Sequence, residues 1–324
     1  MSIKLEKSSL DDERDVGVFE KPAIVSSKPH LTYLSVAFLL SVVVFIQSLF
    51  LFDDHHVSPQ FTLRIKEDNS QAVEIMSSIR SSLKVVTFLA EDFSFSNYTG
   101  INDIDTFDEG NVFHFFYDGY KKDNNHTRPF VPFNGLDIMG CLVKDFGVEL
   151  SLISKSQNPQ KLIDSFSLTY SHTIMNLDEM YHEAKKTSKD GHMSDTKLKV
   201  AHDAYKFERF GKTMRKVPMA SLMSSFVSCV SLLFVLHWAC FRNVSARMVG
   251  VVMVLQVPSM VVQFGAWGAQ LRFYYKVCKL LQKFTVADLR ADSGYVGLVM
   301  SVIMVVMGQV VLAYILYKKR GEKH

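Results

Sequence analysis

The chain has 324 residues, 48% of them hydrophobic and 21% charged, with a net charge of +3 and a mean hydropathy of +0.10. These averages hide a segregation that excludes an ordinary soluble protein: four runs of 22 to 25 residues carry no Asp, Glu, Lys or Arg, and the charge sits between them. About twenty apolar residues in a helix cross a hydrocarbon core of about 30 Å, so the pattern describes a multispanning membrane protein whose first partner is the lipid bilayer. No basic tract points to nucleic acid, and four cysteines are too few for a disulfide framework.

In chain order, residues 1–30 form a charged tail expected in the cytoplasm. Residues 31–52 are the first span, read as an uncleaved signal-anchor because no small-residue cleavage site follows. Residues 53–216 form a loop long enough to fold as a domain. Within it, Ala72, Met76, Ile79, Leu83, Val86 and Ala90 recur at threes and fours, the spacing of one helix face. Further helices are expected over 136–152 and 162–181. Strands are expected over 61–65 (FTLRI) and within 111–120 (NVFHFFYDGY), and a polar linker over 187–199. The second span is 217–241, followed by a cytoplasmic turn (242–247), the third span (248–271), a basic loop (272–294), the fourth span (295–317) and a basic cytoplasmic tail (318–324). The fold class is thus an α-helical integral membrane protein: four transmembrane helices, with a large, mainly α (α+β) lumenal domain between spans one and two.

Orientation rests on the first span. Lys21 and Lys28 precede it while Asp53 and Asp54 follow, which places the N-terminus in the cytoplasm. Lys212, Arg215, Lys216 and the basic residues of 272–283 argue the other way. The first helix usually dominates, however, and long loops translocate largely regardless of charge. Two glycosylation sequons, Asn97-Tyr-Thr and Asn125-His-Thr, lie in the long loop and agree with a lumenal domain; Asn243-Val-Ser falls in the short turn and is discounted.

The spans lack the intramembrane charge that pumps and proton-coupled carriers use. Gln256, Gln263 and Gln270 recur every seven residues and share one face of the third span. They read either as a polar path or, more simply, as interhelical hydrogen bonds with Gln309 as a partner. Small residues recur at i, i+4 (Ala220, Ser224 and Ser228; Gly265 and Ala269; Gly297 and Ser301), a spacing that lets helices approach closely. In the basic loop, Arg272, Lys276, Lys279 and Lys283 share one side of a helix, while Phe273, Val277, Leu280, Leu281 and Phe284 share another. That pattern fits a helix lying in the headgroup plane against anionic lipid, or a simple extension of the third span.

Cys141 and Cys278 are the two cysteines outside the spans, open to pairing in an oxidising lumen or to remaining free thiols. His55 and His56 beside Asp53 and Asp54 are too close together in sequence to ligate one ion well. No P-loop, GxGxxG or GxSxG is present, so neither an enzyme nor a cofactor nor a metal is expected.

Several short segments occur in an order that resembles the yeast spore membrane assembly proteins: FTLRI at 61–65, SIRSSLKVVTFLAEDFSFSN at 78–97, VFHFFYDGY at 112–120, NGLDIMGCLVKDFGVELSLIS at 134–154 and DSFSLTY at 164–170. The resemblance covers roughly residues 61–180, with four spans in the same arrangement. The chain departs from the pattern in its charged 30-residue tail. It also lacks cysteines expected just after the first span and after VFHFFYDGY, so no disulfide is carried over. The resemblance transfers no catalytic or ligand-binding residue. It implies a non-enzymatic, meiosis-specific protein of the prospore membrane, reached through the endoplasmic reticulum and secretory vesicles. Its role would be to shape that membrane, with other membrane proteins or further copies of itself as partners. The alternative is a plasma-membrane tetraspanner of the fungal cortex or claudin type. Those carry a tryptophan and paired cysteines in the first loop, whereas this loop has no Trp and one Cys.

Overall fold

The structure is a computed structural model that describes residues 28–51, 58–66, 106, 110–123, 130–154, 158–187, 196–241, 245–284 and 287–321. The expected helix over 72–90 and the sequons at Asn97 and Asn125 lie outside the described residues.

Among the described residues, four helices are long and apolar enough to cross a membrane. They are α1 (Lys28–Phe50), α5 (Val217–Phe241), α6 (Ala246–Phe284) and α7 (Ser293–Gly321). Around the bundle, α1 packs chiefly on α5 and α7, and α6 packs chiefly on the same two. The helices therefore form a square with α1 diagonal to α6. At the end of the bundle where α1 begins and α7 ends, Leu34 and Ala37 of α1, Leu232 and Val235 of α5, Val249 and Val252 of α6, and Leu312 and Ile315 of α7 close an apolar core. Large apolar side chains elsewhere on these helices, such as Leu39, Phe234, Val254 and Val310, stay exposed on the outer surface, as lipid-facing residues do.

The opposite end of the bundle carries an α+β domain. Its five-stranded antiparallel sheet has the order β4-β3-β2-β1-β5. The strands are β1 (Phe61–Ile65), β2 (Val112–Phe116), β3 (Gly119–Asp123), β4 (Val131–Pro132) and β5 (Ala287–Ala291). In β1 the alternation of FTLRI sends Phe61, Leu63 and Ile65 inward, each essentially inaccessible. Against the sheet lie α2 (Ile138–Ser154) and, after α3 (Pro159–Thr187), α4 (Thr196–Met214); α3 packs on these two helices. Asp137 caps α2, its Oδ1 accepting from Gly140 N at 3.2 Å, and Asn158 caps α3, its Oδ1 accepting from Lys161 N at 3.2 Å. Phe146 of α2 packs on Phe166 of α3 with ring centroids 5.6 Å apart.

Two departures from the sequence reading stand out. The stretch expected to be a polar linker ends inside α4, which starts at Thr196. Its Phe207 and Met214 are buried in the domain core, which overrides the polar character of the N-terminal turn. The second departure concerns 272–294. It is not a separate loop: α6 runs unbroken to Phe284, and 287–291 forms β5, paired with β1 from Phe61↔Ala291 to Ile65↔Ala287. At about 1.5 Å per residue, the 39 residues of α6 reach about 58 Å, nearly twice a hydrocarbon core. The C-terminal turns of α6 thus leave the bundle and enter the domain.

Candidate functional site: the seam from the bundle to the sheet

The four faces of the helical square are each closed by neutral polar side chains. Between α1 and α5, Ser41 Oγ and Ser228 Oγ are 2.7 Å apart, and Ser48 Oγ and Ser221 Oγ 3.0 Å. Between α1 and α7, Ser301 Oγ donates to Gln47 Oε1 at 2.7 Å. Between α7 and α6, Gln309 Nε2 donates to Gln256 Oε1 at 3.0 Å. Between α6 and α5, Gln263 Nε2 donates to Ser221 Oγ at 2.7 Å. Ser221 Oγ, which accepts from Gln263, is 3.0 Å from Ser48 Oγ, itself 2.9 Å from Val44 O, so α6, α5 and α1 are linked by one connected run of polar groups.

The heptad glutamines therefore hold three levels of the molecule together. Gln256 and Gln263 bind neighbouring helices. Gln270 leaves the bundle and donates to Gln60 Oε1 at 2.6 Å and to the Tyr117 hydroxyl. All three are buried. Near Gln256, a cavity of about 10 Å³ is lined by Ser41, Ser228, Gln256 and Ser259. The Gln256 Nε2 and Ser259 Oγ atoms have no protein partner, and that volume holds one water molecule. The cavity is too small for a path across the bundle, which favours the interhelical role over the polar-path reading.

Gln60 is a node for the chain as well as for side chains. Its N–H donates to Phe115 O of β2 at 2.7 Å and its carbonyl accepts from Asp292 N at 3.1 Å, just before α7. Asp292 in turn accepts from Thr62 Oγ1 and lies 3.8 Å from His114 Nδ1. The central strands, α6 and the entry to α7 thus meet within a few residues.

An aromatic cluster backs this node. Phe273 of α6 is fully buried, with its ring centroid 4.6 Å from that of Phe207, 5.7 Å from Phe61 and 5.9 Å from Phe210. Val277, one turn on, is buried beside it. Of the apolar face that the sequence offered to a membrane surface, Phe273 and Val277 are taken up by the sheet and α4, and the helix runs on unbroken from the third span; the side chains of Leu280, Leu281 and Phe284 lie outside the described residues. Arg272, Lys276 and Lys279 are exposed on the other side of α6; the side chain of Lys283 lies outside the described residues.

The small-residue faces are placed differently from the spacing rule. Ser221, Ser225 and Ser228 form the buried stripe of α5, while Ala220 is exposed. Gly265 and Gly297 have open space where a Cβ would stand, so neither marks a close helix approach within the bundle; Ala269 packs partly against the domain core. Close backbone approach occurs instead at Gly135, where φ is +91° and a Cβ would sit 2.3 Å from Gly211 O of α4.

Away from the seam, the domain buries charge. Lys122 on β3 donates to Asp145 Oδ2 at 3.2 Å and to Glu149 Oε1 at 2.9 Å, with the Tyr120 hydroxyl on Asp145 Oδ1 at 3.2 Å. Burial pushes the Asp137 carboxyl up to about 7, against the lowering effect of its cap bond to Gly140. Cys141 is buried with its thiol pushed well above the usual range by burial, and Cys278 is half-buried; both are free, so the pairing considered above is not formed. At the seam, amides and hydroxyls make most of the contacts, and the Thr62 hydroxyl lies between a histidine and a carboxylate, 3.1 Å from His114 Nδ1 and donating to Asp292.

The model of the family described as spore membrane assembly protein 2 matches residues 35–323, from the first span through the domain to the last. The chain belongs to this family. The family's protein in Saccharomyces cerevisiae is 31% identical over 142 residues, 40% of this chain and 38% of the relative. Those of Candida glabrata and Vanderwaltozyma polyspora are 30% and 28% identical over 125 and 130 residues. These pairwise matches span little more than a third of each relative's length. No solved structure matches.

Proposed function

We propose that this protein is a non-enzymatic, multi-pass component of the prospore membrane that takes part in assembling and shaping that membrane during sporulation. The observation that carries this reading is the family match over residues 35–323, which takes in all four apolar helices and the domain. Its relatives are named for spore membrane assembly. In this reading the domain faces the lumen, both termini face the cytoplasm, and the protein arrives through the secretory pathway.

The joint supplies a mechanism. A domain docked through Gln270, Gln60 and Phe273 cannot swivel freely on its anchor, so crowding of domains on one side is passed to the bundle as a tilt instead of being lost in a flexible linker. Area asymmetry of that kind biases bilayer curvature. A fluorescent fusion at the C-terminal tail should appear only in meiosis, on membranes growing around the dividing nuclei. Steady plasma-membrane patches in vegetative cells would overturn the placement. Purified protein reconstituted in giant vesicles at high surface density should deform them, and smooth spherical vesicles at that density would overturn direct shaping.

A further inference from the structure

We infer that Asp178, His182 and His202 form a binding site for a divalent transition-metal ion, with Zn²⁺ the first candidate. The ion would clip α3 to α4 on the side of the domain away from the Gln60 node. Asp178 and His182 are four residues apart on α3 and so share one face. Antiparallel packing against α4 brings His202 opposite them, in a register fixed two turns earlier on α3 by Ser171 Oγ donating to Glu208 Oε1 at 2.7 Å. One donor atom from each of the three residues lies within 4.8 Å of the others.

Three features separate this cluster from scattered surface polar groups. Asp178 and His202 are both buried, at 9% and 7% exposure, so the cost of removing them from water is already met in the fold. The His202 ring is fixed by stacking on Tyr181, with centroids 4.1 Å apart and planes 12° from parallel, while Nδ1 is hydrogen-bonded to Asp178 Oδ1. The other carboxylate oxygen, Oδ2, stands 3.7 Å from His182 Nε2, too far for a hydrogen bond. Ligand atoms at about 2.0–2.1 Å around a tetrahedral ion are about 3.3 Å apart, so a small rotamer adjustment seats one between them. Two imidazoles and a carboxylate suit zinc and its neighbours in the transition series, and not calcium or magnesium, which take all-oxygen shells. Three protein ligands leave the fourth position to water. His182 is 55% exposed at its side chain, which gives the ion an entry path.

The site is independent of the proposed role in membrane shaping. The test uses the full chain in detergent, prepared without a polyhistidine tag, dialysed against zinc alone and then analysed for bound metal. The expected result is one zinc per chain at micromolar free zinc and a zinc-dependent rise in melting temperature. His182→Ala, at a largely exposed position, should lower the affinity at least about tenfold and abolish the rise while melting normally without metal. Cobalt in place of zinc should give the visible absorption of a tetrahedral nitrogen–oxygen site. Absence of stoichiometric zinc at micromolar concentrations would overturn the assignment. So would binding that His182→Ala and Asp178→Asn both leave unchanged, which would put the metal elsewhere, for instance at His55 and His56.

Discussion

Replacing Asp137 by Asn isolates the cost of ionising a buried carboxylate. The side chain is nearly inaccessible, beside Glu208, and its carboxyl is pushed from the usual 3.8 to about 7, burial being the largest cause. Because the folded-state value is the higher one, the native protein holds a proton that the unfolded chain has released between pH 4 and pH 7. Stability contributed by that proton is present in acid and is lost as pH rises towards 7. At about 1.4 kcal/mol per pH unit, the wild type loses about 2–3 kcal/mol from this group between pH 5 and pH 7.5. Asn caps a helix as well as Asp and keeps an oxygen for Gly140 N, but it does not titrate. Asp137→Asn should match the wild type at pH 5 and exceed it by about 2–3 kcal/mol at pH 7.5. At roughly 2–4 °C per kcal/mol, the gain in melting temperature is about 5–10 °C. The assay is thermal denaturation of both proteins in mild detergent, followed by far-ultraviolet circular dichroism at each pH. A difference between the two proteins that is the same at pH 5 and pH 7.5 would refute the reasoning.

Phe273→Ala should cost about 3–5 kcal/mol, since it empties the contact shared by α6, α4 and β1. Loss of helical signal on heating and protease sensitivity would both report it, and Lys276→Ala on the exposed side of the same helix should stay within about 0.5 kcal/mol of wild type. If the domain is lumenal, endoglycosidase treatment of protein from yeast should remove two glycans, and Asn97→Gln with Asn125→Gln should produce the same gel shift without enzyme. Unchanged mobility in both cases would reverse the proposed orientation.

The four spans were legible in the sequence because a bilayer demands about twenty uninterrupted apolar residues, a requirement that no tertiary context supplies or removes. The strand FTLRI and the helices near 138–154 and 159–187 were legible for a related reason: one face of each is buried and the other is not, so their residues alternate at the period of the element. The heptad of glutamines announced a shared face, and Gln309 announced a partner. Their other partners, Ser221, Gln60 and Tyr117, are 42, 210 and 153 residues away in sequence, and only packing could choose them.

Where the local pattern served two environments equally well, tertiary structure decided. Residues 272–284 show a basic face and an apolar face, which fits a helix on a lipid surface as well as one against a protein core; the fold places Phe207 and Phe61 on Phe273 of the apolar face. The segment ADLRA has little strand character of its own and becomes β5 because β1 presents an open edge to it. The sequence reading passed over Asp178 and His182, four residues apart on one helix, because their third partner, His202, is 20 residues further on, across a helix reversal that the sequence showed only as a polar stretch. The sequence by itself determined which segments are long and apolar enough to cross a membrane, because apolar length is a one-dimensional property. The joint between bundle and sheet, and the clustering of buried polar groups, depend on residues distant in sequence, and the packed fold alone brought them together.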